Sequence, residues 1–282
     1  MTLIVGVTTG TKIQLLSDTR ITHPDVTQIE EIPGRLKLIS LSSTICVGYA
    51  GPATAAIDHI RTTPSDIRGS FEHLIPYLQA ESQCDFLLAD SRSLRLATVK
   101  GGVALETAPA YVGDDDAWAA FLAARDGVVQ ADSTDPESAT LSSAMTAFAS
   151  VMRDRSHPTV AGFQLRVGSR GDGFHYLLAA GAYLVNLIGP LNPSTAPQHS
   201  DAAAGAYSYT VLAPREAGHP VVAVHLYQGQ LGFVYAPLKH DTPVEVPNVD
   251  HMGLQQYVRQ HYGIEVDGLQ IGAGTFSVPK GY

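Results

Sequence analysis

The chain has 282 residues, of which 45% are hydrophobic, 16% charged and 7% aromatic, a composition of one globular domain or two small ones that excludes collagen, a long coiled coil and a disordered tail. Eighteen Lys and Arg against 27 Asp and Glu give a formal net charge of −9, and with no run of basic residues the sequence has no footprint for nucleic acid. Cys46 and Cys84 each sit beside apolar residues, which points to buried free thiols and a reducing interior, and a chain of this length hides roughly 75% of its unfolded surface without needing disulfides.

The opening Met1 to Val7 carries no basic leader, and no run of about eighteen apolar residues occurs, so the sequence reads as a soluble, cytoplasmic protein. Short apolar or β-branched runs predict strands over Leu3 to Val7, Lys12 to Leu16, Leu36 to Leu41 and Ile45 to Tyr49. Thr9-Gly10-Thr11 is a hairpin signal that pairs the first two, which would hold residue 2 in a sheet. Ala56, Ile57 and Ile60, then Ile67, Phe71, Leu74, Ile75 and Leu78, repeat at helical spacing and predict two helices punctuated by Pro64 and Ser65.

Strand chemistry returns over Phe86 to Ala89, Arg95 to Val99 and Val103 to Ala108, and helix over Ala117 to Ala124. Asp135 and Pro136 then read as N-cap and first residue of a helix carrying Leu141, Met145, Phe148 and Met152. Phe163 to Val167 and Gly173 to Leu178 predict a hairpin, so the glycines of Gly168 to Gly173 belong to a turn and not to a phosphate loop. Residues 189 to 220, rich in Pro, Ala, Ser and Gly, predict a long loop; a hairpin follows over Val221 to Leu226 and Leu231 to Tyr235, then a helix from Met252 to His261 and a glycine-rich tail. Strands and helix pairs in this order suit two sheets packed face to face with helices outside better than strict βαβ alternation.

The eleven histidines show no metal-ligand spacing, and no nucleophile elbow, Walker loop or dinucleotide fingerprint is present, so neither metal nor cofactor is expected. The chemistry concentrates near the start. Thr2 follows a methionine that processing removes before so small a residue, and a freed Thr2 would combine a hydroxyl nucleophile with an α-amine whose ordinary pKa, about 7.7 to 8.0, suits it as a base. Asp18 and Lys37 offer the carboxylate and cation that would tune it. Taken singly, Asp18 could close a turn or pair with Arg20, Lys37 could guard an edge strand, and Gly51 could merely start a helix.

In order, Thr2-Leu3-Ile4-Val5-Gly6-Val7, Leu16-Ser17-Asp18-Thr19-Arg20, Lys37-Leu38-Ile39 and Gly48-Tyr49-Ala50-Gly51 resemble the signature segments of proteasome β-type subunits, members of the N-terminal-nucleophile hydrolases. The resemblance spans about residues 2 to 178. It implies an α+β, four-layer αββα sandwich over residues 1–180, with 181–282 as a C-terminal extension packed on the core or on a neighbour. It implies Thr2 as nucleophile and base, Asp18 holding Lys37, Lys37 lowering the pKa of the Thr2 hydroxyl and amine, the Gly51 N–H as oxyanion donor and Asp154 as a supporting carboxylate. Ile21, Arg35, Tyr49 and Ala53 would line a substrate pocket with Tyr49 as its floor, and Arg35 there would favour an acidic side chain.

The chain departs from the pattern where Tyr111-Val112-Gly113 runs into Asp114 in place of a serine, and where Arg153-Asp154-Arg155-Ser156-His157-Pro158-Thr159 shows altered spacing. The function implied is hydrolysis of a peptide or small amide by a homo-oligomer that binds neither nucleic acid nor membrane. The alternative is a silent scaffold or binding subunit of the same fold. On the enzyme reading, Thr2→Ala and Lys37→Ala each abolish turnover and leave the thermal midpoint nearly unchanged.

Overall fold

The structure, a computed structural model, describes residues 2–22, 29–30, 33–128, 135–154, 156–184, 206–272 and 275–277. It is a mixed α/β protein with several antiparallel sheets and, among the described residues, five helices. In chain order it runs through β1 (Leu3–Thr8), β2 (Ile13–Ser17), the short pair β3 (Ile21–Thr22) and β4 (Ile29–Glu30), β5 (Leu38–Ser40), β6 (Ile45–Ala50), α1 (Ala53–Arg61), α2 (Phe71–Gln79), β7 (Asp85–Asp90), β8 (Arg95–Lys100), β9 (Val103–Glu106) and β10 (Ala110–Gly113). Next come α3 (Asp115–Gly127), α4 (Pro136–Arg153), β11 (Leu165–Arg170), β12 (Gly173–Tyr176), β13 (Ala179–Leu184), β14 (Ala206–Pro214), β15 (Val222–Leu226), β16 (Leu231–Tyr235), β17 (Val244–Pro247), α5 (His251–Tyr262), β18 (Val266–Gly268), β19 (Gln270–Gly272) and β20 (Thr275–Ser277).

Three sheets organise the chain. One has the order β10-β1-β2-β11-β12, a second β5-β6-β7-β8-β9, and a third β13-β14-β15-β16-β17 with β18 on β14. The β1–β2 hairpin closes where sequence placed it, with the Thr9 N–H donating to the Lys12 carbonyl at 2.8 Å. Both faces of β1 are buried, because successive side chains of a strand point to opposite sides. Ile4 enters a cluster shared by all three sheets, with Leu15, Cys46, Leu87, Val224 and Phe233. Leu3 and Val5 face the other way, onto Phe121 of α3 and Phe148 and Val151 of α4.

The second sheet repeats the device: Val47, Tyr49 and Phe86 pack on Ile57 and Ile60 of α1 and on Leu74 and Leu78 of α2. A fourth cluster sets Leu254 and Val258 of α5 on Leu212 and Val234 of the third sheet. No helix of the described residues is long and apolar enough to cross a membrane.

Three sequence expectations change. The second helix starts at Phe71 instead of Ile67, because the Ser70 hydroxyl accepts the His73 N–H and caps it there. Of the stretch read as a long loop, residues 206–214 form β14, a central strand whose Tyr209, Val211 and Ala213 are buried, while 185–205 lie outside the described residues. Part of the glycine-rich tail is ordered as β18, paired with β14, and as the β19–β20 hairpin; its last residues, 278–282, are also outside the description.

Candidate active site

β1 delivers Thr2 to the edge of the first sheet, and β2, antiparallel to it, returns Asp18 to the same end, since Ile4 pairs with Ser17. Lys37 immediately precedes β5 in the second sheet; its carbonyl accepts the Tyr49 N–H at 3.1 Å, which places it two residues along the β6 ladder from Gly51. The site is therefore assembled at the junction of two sheets.

The Lys37 ammonium has three donors and meets three acceptors: Thr2 Oγ1 at 2.5 Å, Asp18 Oδ2 at 2.8 Å and the Arg20 carbonyl at 2.5 Å. The Thr2 hydroxyl donates to Asp18 Oδ1. Backbone N–H groups of Leu3 and Arg20 also donate to the Asp18 carboxylate, at 3.3 and 3.1 Å. Thr2, Asp18 and Lys37 are 3%, 0% and 2% exposed, so this ion pair is desolvated on both sides. Burial drives the Lys37 pKa below the ordinary lysine value against the opposing pull of Asp18.

A second set of bonds holds this cluster, from the two stretches where the sequence departs from the family pattern. The Asp114 N–H donates to the Thr2 carbonyl at 2.7 Å, while Asp114 Oδ1 caps α3 through the N–H groups of Asp116 and Ala117. Asp114 Oδ2 accepts from the Thr159 hydroxyl at 2.6 Å. Although its partial burial works the other way, these hydrogen bonds, that of Thr159 foremost, hold the Asp114 carboxyl below the usual carboxylate range. Residues beyond Thr159 fasten the opposite flank: the Ala161 carbonyl accepts the Thr19 and Arg20 N–H groups, and the Phe163 N–H donates to Thr19 Oγ1 at 2.8 Å. An Asp ahead of a helix was readable as an N-cap; its backbone bond to Thr2 was not, since that depends on β10 lying beside β1.

Gly113 has φ of +108°, and a Cβ there would stand 1.9 Å from the Thr2 carbonyl oxygen, so both its conformation and its contact require glycine. Gly51 likewise has φ of +115°, with a Cβ meeting the Gln83 carbonyl oxygen at 2.9 Å. Its turn ends β6 and precedes α1, whose first residue is Ala53.

Asp154 is placed elsewhere than the resemblance implies. It is exposed at the C-terminus of α4 and accepts the Ser156 N–H at 2.9 Å, and from this loop it is Thr159, through Asp114, that reaches toward Thr2. Arg155 and Met1 lie outside the described residues. Of the pocket residues, Tyr49 is 1% exposed and its hydroxyl has no hydrogen-bond partner among the described residues, an omission that costs about 1–3 kcal/mol unless a ligand supplies one. Arg35 is half-buried, donates to the Gly34 carbonyl at 2.9 Å and lies within electrostatic reach of Tyr49. Ala53 packs against the Tyr49 cluster, and Ile21 is half-buried in β3.

No protein-family model matches the sequence, and no curated protein matches it. Among solved structures, the chain is similar to one described as the crystal structure of eukaryotic HslV from Trypanosoma brucei, at 16% sequence identity and a TM-score of 0.44, the alignment covering 59% of this chain and 98% of that one.

Proposed function

We propose that this chain is an N-terminal threonine amide hydrolase, acting on a peptide or small amide, with Thr2 as nucleophile once the Met1–Thr2 bond has been cleaved. The observation that carries the reading is the buried contact of Thr2 Oγ1 with both the Lys37 ammonium and the Asp18 carboxylate. A threonine kept only for packing does not require a desolvated cation and anion, which are costly to bury.

The chemistry runs as follows. Thr2 Oγ1 attacks the substrate carbonyl while its proton passes to the Thr2 α-amine. The Lys37 ammonium, fixed by Asp18 and the Arg20 carbonyl, stabilises the developing alkoxide, and the Gly51 N–H takes the carbonyl oxygen of the tetrahedral intermediate. The amine hands its proton to the leaving nitrogen, the C–N bond breaks, and an acyl-ester on Thr2 remains. Water then attacks the ester and restores the hydroxyl. Asp114 holds the Thr2 main chain in register throughout.

The same reading makes residues 1–180 a four-layer αββα core, supported by the apolar cluster that the first two sheets share with the third and by the helix pairs packed on their outer faces. Residues from 181 onward form the extension, and assembly into a homo-oligomer goes with the reading.

A Thr2 nitrogen that stays joined to a preceding residue is an amide and no base, and the chain would then be a silent scaffold instead. Intact mass separates the two. Loss of one methionine, with covalent labelling of Thr2 by an epoxyketone, is the expected result; a retained methionine and no adduct would refute the enzyme.

A further inference from the structure

The site joins two sheets, Thr2 and Asp18 coming from the first and Lys37 from the second, so its geometry holds only while those sheets keep one placement. β5, the strand that Lys37 precedes, is three residues long and, among the described residues, an edge strand paired with β6 alone. The Lys37 carbonyl turns inward to the Tyr49 N–H. Alternate carbonyls of a strand point to opposite sides, so that of Leu38 faces the open edge. A side chain of the first sheet meets it there. The Tyr176 hydroxyl, on β12, donates to the Leu38 carbonyl at 2.6 Å, and the residue is 2% exposed.

β12 grips the same hairpin at its other end. The Phe174 N–H donates to the Ser43 carbonyl, in the turn between β5 and β6, at 2.6 Å, and a Cβ on Gly173, where φ is +135°, would stand 2.1 Å from that oxygen. Ahead of Lys37, the Arg35 N–H donates to the carbonyl of Thr19, just past the end of β2, at 2.7 Å. Lys37 therefore lies between two anchors from the sheet that carries Thr2 and Asp18, one two residues before it and one a single residue after. The two differ in kind. The Arg35 anchor joins main chain to main chain, whereas the Leu38 anchor depends on one phenol. Burial lifts the Tyr176 pKa well above the ordinary tyrosine value, so the hydroxyl keeps its proton and stays a donor.

We infer that Tyr176 is a positioning residue for Lys37: by fixing the Leu38 carbonyl it sets how far the ammonium reaches between the Thr2 hydroxyl and the Asp18 carboxylate. The inference rests on the hydrolase reading for the reaction but not for the placement of the lysine. Leu36, Leu38 and Tyr176 share one apolar cluster, so loss of the hydroxyl leaves the Leu38 carbonyl unpaired in an apolar interior. The strand relieves that cost by shifting toward water, and Lys37, its next residue, moves away from Thr2 with it. A misplacement of about 1 Å at a reacting group costs about 10²-fold in rate.

The test is Tyr176→Phe in the full-length chain freed of Met1, which keeps the ring and removes only the donor. Two quantities are read in parent and variant. One is the labelling of Thr2 by an epoxyketone, resolved into a maximal rate and an apparent affinity. The other is the NMR titration of the Lys37 side chain in protein carrying isotopically labelled lysine, assigned by replacing each of the other lysines with Arg in turn. The maximal labelling rate is expected to fall at least about tenfold with the affinity unchanged. The Lys37 titration is expected to move up toward 10.5 as water reaches the ammonium, with Asp18 and Arg20, the charged groups that face it, present in both proteins. A Tyr176 that served stability alone would reduce the amount of protein labelled and alter neither the rate of the folded fraction nor the titration, so either quantity unchanged would overturn the inference. Val258→Ala, on α5 in the fourth cluster, loosens the core away from the hairpin and should move neither; an equal effect there would also overturn it. A parent that is never labelled, with a Lys37 titration that Tyr176→Phe still moves, would refute the hydrolase reading and leave the placement of the lysine standing.

Discussion

Lys37 Nζ and Thr2 Oγ1 are 2.5 Å apart and share the two oxygens of one buried carboxylate, that of Asp18. The lysine and the aspartate therefore compensate each other's lost hydration in the interior, together with the Thr2 hydroxyl and the backbone groups around them. This changes what removal of either does to the fold.

Lys37→Ala is expected to abolish turnover and, against the sequence expectation of an unchanged midpoint, to destabilise the chain by about 3–5 kcal/mol, because it strands the Asp18 charge in the interior. Thr2→Ala should be equally inactive yet cost less, about 1.5–3 kcal/mol, the range for a hydrogen bond to a charged group, because it removes the hydroxyl's bonds to Lys37 and Asp18 and leaves the ion pair between those two closed. Urea unfolding of the two variants beside an activity assay reads both quantities; equal stability of Lys37→Ala and the parent would contradict the burial argument.

The alkaline limb of the activity profile should fall at a pH below 10.5, the ordinary lysine value, since burial lowers the Lys37 pKa and the mechanism needs the ammonium. Stability should move the other way. Between the lowered folded value and 10.5 the unfolded chain binds more protons than the folded one, so unfolding becomes harder as pH rises. Labelling rates of Thr2 and denaturation midpoints across the same pH series would show the divergence, and a parallel decline in both would count against Lys37 as the group.

His225 and His251 meet edge to face between β15 and α5, with ring centroids 6.1 Å apart, and burial lowers the pKa of both from 6.5. The His225 ring donates to the Val249 carbonyl, and Asp250 is the nearby acid that opposes the shift. Their contribution is complete above pH 6.5 and is lost as pH falls below it, because the unfolded chain takes up the protons first. Acid should loosen the third sheet ahead of the first two, read by hydrogen exchange of β15 amides. A His225→Gln, His251→Gln double variant should flatten that slope.

Gly113→Ala should be among the most damaging single-methyl additions, since the new carbon meets a backbone oxygen that cannot swing away and the residue has positive φ. Loss of more than about 2 kcal/mol and of Thr2 labelling together is the expected outcome; stability and labelling both intact would mean that the Gly113–Asp114 turn is not what holds Thr2.

Much of the site was readable in the sequence because its members sit on short, regular strands. Thr2, Asp18 and Lys37 fall at the ends of β1, β2 and β5, where hairpin geometry alone brings the first two together. What escaped depends on non-local pairing. Asp114 matters through a backbone N–H that meets Thr2 only because β10 pairs with β1. β14 was hidden by its Ala, Ser and Pro neighbours, which mimic a loop even though Tyr209, Val211 and Ala213 alternate inward as a central strand requires.

The clamp of Asp114 on the Thr2 carbonyl also has a practical side. With the hydroxyl directed at Asp18 and the ammonium beside it, the proposed nucleophile is already in place, and a residue joined to the nitrogen of Thr2 turns the amine that the proposal needs into an amide. On the hydrolase reading, an affinity tag fused ahead of Thr2 would act as a protecting group on the proposed base, and protein purified that way would be silent until the tag was cut at that bond.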